Sequence, residues 1–161
     1  MNAWERREFV RKHRTAVFGY ARKEHGPSMS CCYYVMDGDD ILVSTMASRA
    51  KAKAVKRNPK ASLCVLDEKW PPTYILVYGN ATIDEKGGDE LLVKICELMA
   101  GQPMPEAERK RLSRLAEEEQ RVVLRIKPES TFETPPRHVY NPEDVKTLTH
   151  WLGSTLPWNA D

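Results

Sequence analysis

The chain has 161 residues, of which 41% are hydrophobic and 30% charged, with a net charge of +2. That is the size and composition of one folded domain, not of a disordered segment. No window approaches the roughly 20 apolar residues of a membrane-spanning helix. The start, Met1-Asn2-Ala3-Trp4-Glu5-Arg6-Arg7-Glu8, has no apolar signal core behind its charges. A cytoplasmic location is therefore expected, with neither membrane nor nucleic acid as partner, because the net charge is too small to argue for the latter. The four cysteines, Cys31, Cys32, Cys64 and Cys96, include no CxxC pair. On a strand, Cys31 and Cys32 would face opposite sides, so no metal is expected. All four read as reduced thiols, mostly in the core.

Asn2 followed by Glu5 is a capping-box pattern, opening a short helix that ends near His13 with Trp4, Phe9 and Val10 along one side. Thr15–Ala21 and Ser28–Val35 are rich in β-branched and aromatic residues. They flank the turn Glu24-His25-Gly26-Pro27, which makes a hairpin. Asp37-Gly38-Asp39-Asp40 is a second turn, and Ile41–Thr45 a third strand. The period then changes to an Ala-rich basic helix from Ser48, with Ser48 as its N-cap and Asn58-Pro59 as its stop. Ala61–Leu66 is a fourth strand and Tyr74–Ile83 a fifth, with Trp70-Pro71-Pro72 ahead of it. Gly79 suggests a bulge or a close backbone approach.

Helices are expected over Asp89–Met99 and Pro105–Gln120, the second a solvated, charged one. Arg121–Lys127 alternates with period two and is read as ending at Pro128. Beyond it lies a Pro-rich tail with one short helix around Glu143–Leu152. The chain reads as one domain, with a core over about residues 8–128 and a C-terminal extension over 129–161. Six strands with hairpin links and few crossing helices fit a mainly β fold, a six-stranded antiparallel split barrel with peripheral helices. A doubly wound sheet would need a helix after nearly every strand.

The segment Leu42–Leu63 carries the chemistry. The first turn of its helix offers free N–H groups and the positive end of the helix dipole. Arg49 and Lys51 sit in that turn, where cations are unfavourable for the helix alone and favourable beside a bound phosphate. Ser44, Thr45 and Ser48 add hydroxyl groups, and Arg49 can grip two phosphate oxygens at once. The same basic helix also reads as a solvated face, or as a surface for nucleic acid or an acidic protein.

The run VSTMASRAKAKAVKRNPKASLCVLD resembles the phosphate-binding strand–helix–strand of the pyridoxamine 5′-phosphate oxidase-like family. Within it, the run looks like the flavin/deazaflavin oxidoreductase branch that uses coenzyme F-420. The similarity extends through HRTAVFGYARKEHGPSMSCCYYV and WPPTYILVYGNATI, over roughly residues 8 to 84, and RVVLRIKPE matches the family's last strand. The resemblance implies a homodimer with a cofactor groove between subunits. The phosphate ligands would fall on Ser44, Thr45, Ser48, Arg49 and Lys51. Ser28, Ser30 and Cys32 would line the ring system, and Trp70 or Tyr74 would reach in from the partner. Ala50 between Arg49 and Lys51 departs from the adjacent Arg-Lys of the oxidases and is closer to the deazaflavin branch. No substrate motif of the oxidases is recognisable, which argues against vitamin B6 oxidation.

The activity implied is hydride transfer between reduced coenzyme F-420 and a small organic substrate with an electron-poor double bond. FMN is the alternative cofactor, and a non-catalytic flavin or haem carrier or sensor the alternative class. No catalytic residue is assigned. His13 and His25 are expected to be exposed. His138 and His150 lie in the tail without an identifiable carboxylate partner, and Trp151 and Trp158 read as packing anchors.

Overall fold

The amino end forms as its capping pattern predicts. Helix α1 spans Ala3–Lys12, the Glu5 amide donates to the Asn2 side chain, and the Asn2 amide donates back to Glu5. The structure is a computed structural model that describes residues 1–67, 69, 73–134 and 153–160. The buried line of α1 is Ala3, Arg6 and Val10, spaced by three and four residues. Trp4 falls off that stripe and is 60% exposed, contrary to the expectation that it shares a face with Phe9 and Val10.

Eight strands follow: β1 (Thr15–Tyr20), β2 (Ser28–Tyr33), β3 (Val35–Asp37), β4 (Asp40–Met46), β5 (Lys60–Leu66), β6 (Tyr74–Asp84), β7 (Arg121–Glu133) and β8 (Ser154–Pro157). Helices α2 (Ala50–Arg57), α3 (Gly88–Ala100) and α4 (Glu106–Glu118) complete the described elements. All the strand pairs are antiparallel, in the order β2-β1-β5-β6-β7-β4-β3, with β8 on β7. The fold is thus mainly β, a half-barrel with helices on its flanks.

Two strands exceed the six expected. The expected second strand breaks at Tyr34, whose N–H donates to the Arg14 carbonyl (3.0 Å) and whose hydroxyl donates to the Val10 carbonyl (2.6 Å). These bonds turn the chain from one sheet edge to the other. β2 and β3 therefore sit at opposite ends of the sheet order although one residue separates them. Gly38, at φ 60°, supplies the left-handed residue of the tight turn into β4.

The last barrel strand does not stop at Pro128. The β6–β7 register shifts at Tyr78/Gly79, where Pro128 lies opposite Gly79, so the ladder asks no N–H of the proline. A Cβ on Gly79 would lie 2.4 Å from the Lys127 carbonyl oxygen, which is the close approach its position suggested. β7 then runs on to pair with β8, and Trp158 just beyond it is only 2% exposed in the core.

Alternate residues of β4, β5 and β6 point inward: Ile41, Val43, Leu63, Val65, Ile75 and Val77 are fully buried, with Phe18, Leu124 and Ile126. Each such side chain contributes about 1.5–3 kcal/mol of burial. Outside the barrel, Leu91 and Ile95 of α3 pack on Val35 and Val123, and Leu112 and Ala116 of α4 pack on Leu92 and Val93. The expected helix over Glu143–Leu152, together with Trp70, His138, His150 and Trp151, lies outside the described residues.

Candidate functional site

Helix α2 starts one residue later than Ser48 predicts. Arg49 takes the extended cap conformation (φ −71°, ψ 152°), and its side chain makes no capping hydrogen bond. Ser48 lies instead in an exposed turn that the Arg49 amide closes onto the Met46 carbonyl (3.1 Å). The first α-helical bond of this turn is Lys53 N–H to the Arg49 carbonyl (3.2 Å). The amides of the preceding turn thus have no side-chain cap, with the positive end of the helix dipole behind them.

Those amides border a cavity of about 220 Å³. Ser44, Thr45 and Met46 line it from β4, Arg49 and Lys51 from α2, Cys31, Cys32 and Tyr33 from β2, Leu92 and Ile95 from α3, and Arg121 from β7. Three cations and no carboxylate share this lining. Thr45 is buried, while Arg49 is exposed and Lys51 half-buried. Lys51 Nζ lies 5.6 Å from the centroid of the buried Phe18 ring, a cation–π distance that holds the ammonium over the barrel end.

Arg121 is the functional residue that the sequence reading missed. Antiparallel pairing sets Met46 against Arg121 and Ser44 against Val123. Arg121 Nη1 donates to Ser44 Oγ (3.2 Å), and its Nε pairs with Glu119 at 2.5 Å. Gly88, the first residue of α3, makes that placement possible: a Cβ there would lie 2.2 Å from the Arg121 carbonyl oxygen. No motif marks Arg121, because it lies far along the chain from the basic helix and looks like one more polar position of an alternating strand.

Of the residues expected at the cofactor, the cavity unites Cys32, Ser44, Thr45, Arg49 and Lys51. Ser28, Ser30, Ser48 and Tyr74 do not line it, and Trp70 lies outside the described residues. Ser30 shares a strand face with Cys32, and its Oγ is buried without a hydrogen-bond partner. Tyr74 is half-buried at the start of β6, opposite Leu66.

The paired cysteines divide as strand geometry requires: Cys31 is exposed, while Cys32 packs against the core. Burial pushes the Cys32 thiol up to about 11, against the opposing pull of the Lys51 charge. It is a neutral wall of the cavity at physiological pH, not a nucleophile. Burial also raises the thiols of Cys64 and Cys96. None of the four cysteines is fully buried, which corrects the expectation of mostly core positions. His13 is half-buried rather than exposed, stacked on Phe9 with Nδ1 2.6 Å from the Phe9 carbonyl; His25 is exposed.

The model of the pyridoxamine 5′-phosphate oxidase family matches residues 4–134. The chain belongs to this family. Among solved structures it is similar to the conserved hypothetical protein Rv2991 of Mycobacterium tuberculosis, at 22% identity and a TM-score of 0.69, covering 81% of this chain and 82% of that one. A structure described as an F420 reductase is 18% identical with a TM-score of 0.60, over 77% of this chain and 93% of that one. The haem storage protein HutZ of Vibrio cholerae is 16% identical with a TM-score of 0.56, over 78% and 88% respectively. At these identities the likeness is one of fold. No curated protein matches the sequence.

Proposed function

We propose that this chain is an oxidoreductase that holds the phosphate of a flavin-type cofactor in the cavity at the start of α2. One observation carries the reading. Arg49, Lys51 and Arg121 converge on a cavity with no acidic lining, beside an uncapped helix start and the hydroxyl groups of Ser44 and Thr45. That donor set fits a phosphate: guanidinium groups for paired oxygens, an ammonium as a point charge, and backbone amides along the dipole. At about 220 Å³ the cavity suits a phosphate and its linker. A three-ring system needs the larger space typical of ligand pockets, so it would extend out past β2.

When bound, the cofactor supplies the hydride chemistry. The chain's own residues anchor and orient it, and the half-buried Cys32 and Ile95 side keeps one wall apolar. Coenzyme F-420 is the first choice, with a substrate bearing an electron-poor double bond, on the resemblance of the Arg49-Ala50-Lys51 spacing. FMN is the second reading, and one feature favours it. Glu119 already neutralises Arg121, which leaves Arg49 and Lys51 without a carboxylate partner among the described residues. Two free charges match the dianion of a phosphomonoester. We also propose a homodimer with the groove between subunits. It is supported by the outward face of β2, where Met29 is 71% exposed.

Titration of the protein with FMN and with coenzyme F-420, followed by quenching of cofactor fluorescence, tests the reading. Micromolar binding of one is expected. Binding of neither overturns it, and binding of haem alone with a Soret shift moves the chain to the carrier class.

A further inference from the structure

A second chamber adjoins the cradle. Its volume is about 730 Å³, within the range of a pocket for a whole small molecule, and Tyr33 lines both spaces. The floor is apolar: Leu66 from β5, Leu98 and Met99 from the end of α3, and the Tyr33 ring. Seven large hydrophobic residues are exposed among those described, and three of them, Tyr33, Leu98 and Met99 at 44%, 41% and 56%, gather here. Singly exposed apolar residues need no explanation, whereas a cluster rimmed by charge marks a binding surface.

The rim is cationic. Lys12 and Lys69 border the chamber, and neither lies within salt-bridge distance of a carboxylate among the described residues. The third cation, Arg14, donates through Nη1 to the carbonyls of Arg11 and His13, at the end of α1. The one carboxylate in the lining, Asp67, is already engaged. It accepts from the Lys69 amide (3.0 Å) and faces His13 Nε2 at 3.8 Å. The two lysines are therefore the charges left to meet a ligand.

We propose that this chamber binds an aromatic or unsaturated organic monoanion, a carboxylate whose apolar body lies on Leu98, Met99 and Tyr33 while its charge meets Lys12 and Lys69. Naming that anion the co-substrate rests on the flavin reading of the neighbouring cradle; its binding does not. The chemistry separates it from a cation, which the rim repels, and from a neutral molecule, which leaves the lysines unanswered.

The test uses 2-naphthoate and its neutral counterpart 2-naphthalenemethanol as probes, with affinity measured by calorimetry on the full chain. Naphthoate is expected to bind at least tenfold more tightly than the alcohol. The double variant Lys12→Gln/Lys69→Gln should lose about tenfold for naphthoate and leave the alcohol unchanged, as two partly exposed ion pairs would. Leu98→Ser, at an exposed position, should weaken both probes, and Arg49→Gln should change neither. Equal affinity for the two probes, no effect of the lysine changes, or loss of naphthoate on Arg49→Gln overturns the proposal. It is also overturned if Leu98→Ser abolishes self-association and leaves naphthoate affinity intact, which makes the patch a subunit surface. FMN or coenzyme F-420 titrated in parallel keeps the two readings apart: naphthoate selectivity with no cofactor binding sinks the cradle alone.

Discussion

Two arginines on β7, four residues apart and on one face of the strand, have opposite roles. Arg125 is met by three carboxylates, Asp37 at 2.8 Å, Asp40 at 3.0 Å and Asp84 at 2.9 Å, and these hydrogen bonds raise its already high pKa. Arg121 is met by Glu119 alone, then a serine hydroxyl, then an empty basic cavity. Both are about equally exposed, at 27% and 22%. Exposure therefore does not separate structural from binding arginines here. The number of acceptors already supplied by the protein does: Arg125 joins β3, β4 and β6 to β7, whereas Arg121 retains capacity for a ligand's anion.

The largest expected effect lies on the ligand side of that contrast. Arg49→Gln combined with Lys51→Gln should lower cofactor affinity by about a hundredfold or more. Each charge-assisted bond contributes roughly 1.5–3 kcal/mol. The melting temperature should barely move, since neither side chain has an ion-pair partner among the described residues. Fluorescence titration beside thermal unfolding checks both halves. A fall in stability with unchanged affinity would place both residues in the scaffold.

Next comes the exchange of the two β7 arginines. Arg121→Gln should weaken cofactor binding by about tenfold, on the order of one charge-assisted hydrogen bond. Arg125→Gln should leave binding intact and cost about 1 kcal/mol of stability, a loss that high salt diminishes. Denaturant unfolding and titration of both variants would erase the distinction if their effects matched. Gly88→Ala sharpens it further. The added methyl would push on the Arg121 carbonyl, so affinity and stability should fall together, with roughly 1–3 kcal/mol of strain.

The smallest effect is chemical. With its thiol held at about 11 by burial, Cys32 should resist iodoacetamide at pH 8 while the exposed Cys31 is alkylated, as peptide mass spectrometry would show. The sign for stability follows. The folded state holds this proton above the model value of 9.0, so the contribution is complete below pH 9 and is lost as pH rises through about 11. Alkylation of Cys32 in the native protein at pH 8 would contradict its burial.

Much of this was legible in the sequence where the signal was local. The Asn2/Glu5 capping box, the Gly79 bulge and the hydroxyl-then-cation run from Ser44 to Lys51 each lie within a short segment. Physical chemistry constrains these residues through their neighbours in the chain. What failed was non-local or a contest between similar residues. Arg121 enters the cradle only through strand pairing with β4, which no periodicity reveals. Ser48 has the better capping propensity, yet the Met46 turn places Arg49 at the cap. Tyr34 looked like a strand residue until its two bonds, to Val10 and Arg14, turned the chain. Pro128 looked like a stop because the bulge that excuses its missing N–H is made by a partner strand.

The cradle is tested most directly by removing the phosphate from the ligand instead of the cations from the protein. FMN and riboflavin share the ring system and ribityl chain and differ in that one group. Equilibrium quenching titrations of the wild-type protein should give at least a tenfold preference for FMN, abolished in Arg49→Gln/Lys51→Gln. Equal affinity for the two ligands in the wild type would contradict a phosphate site at the start of α2.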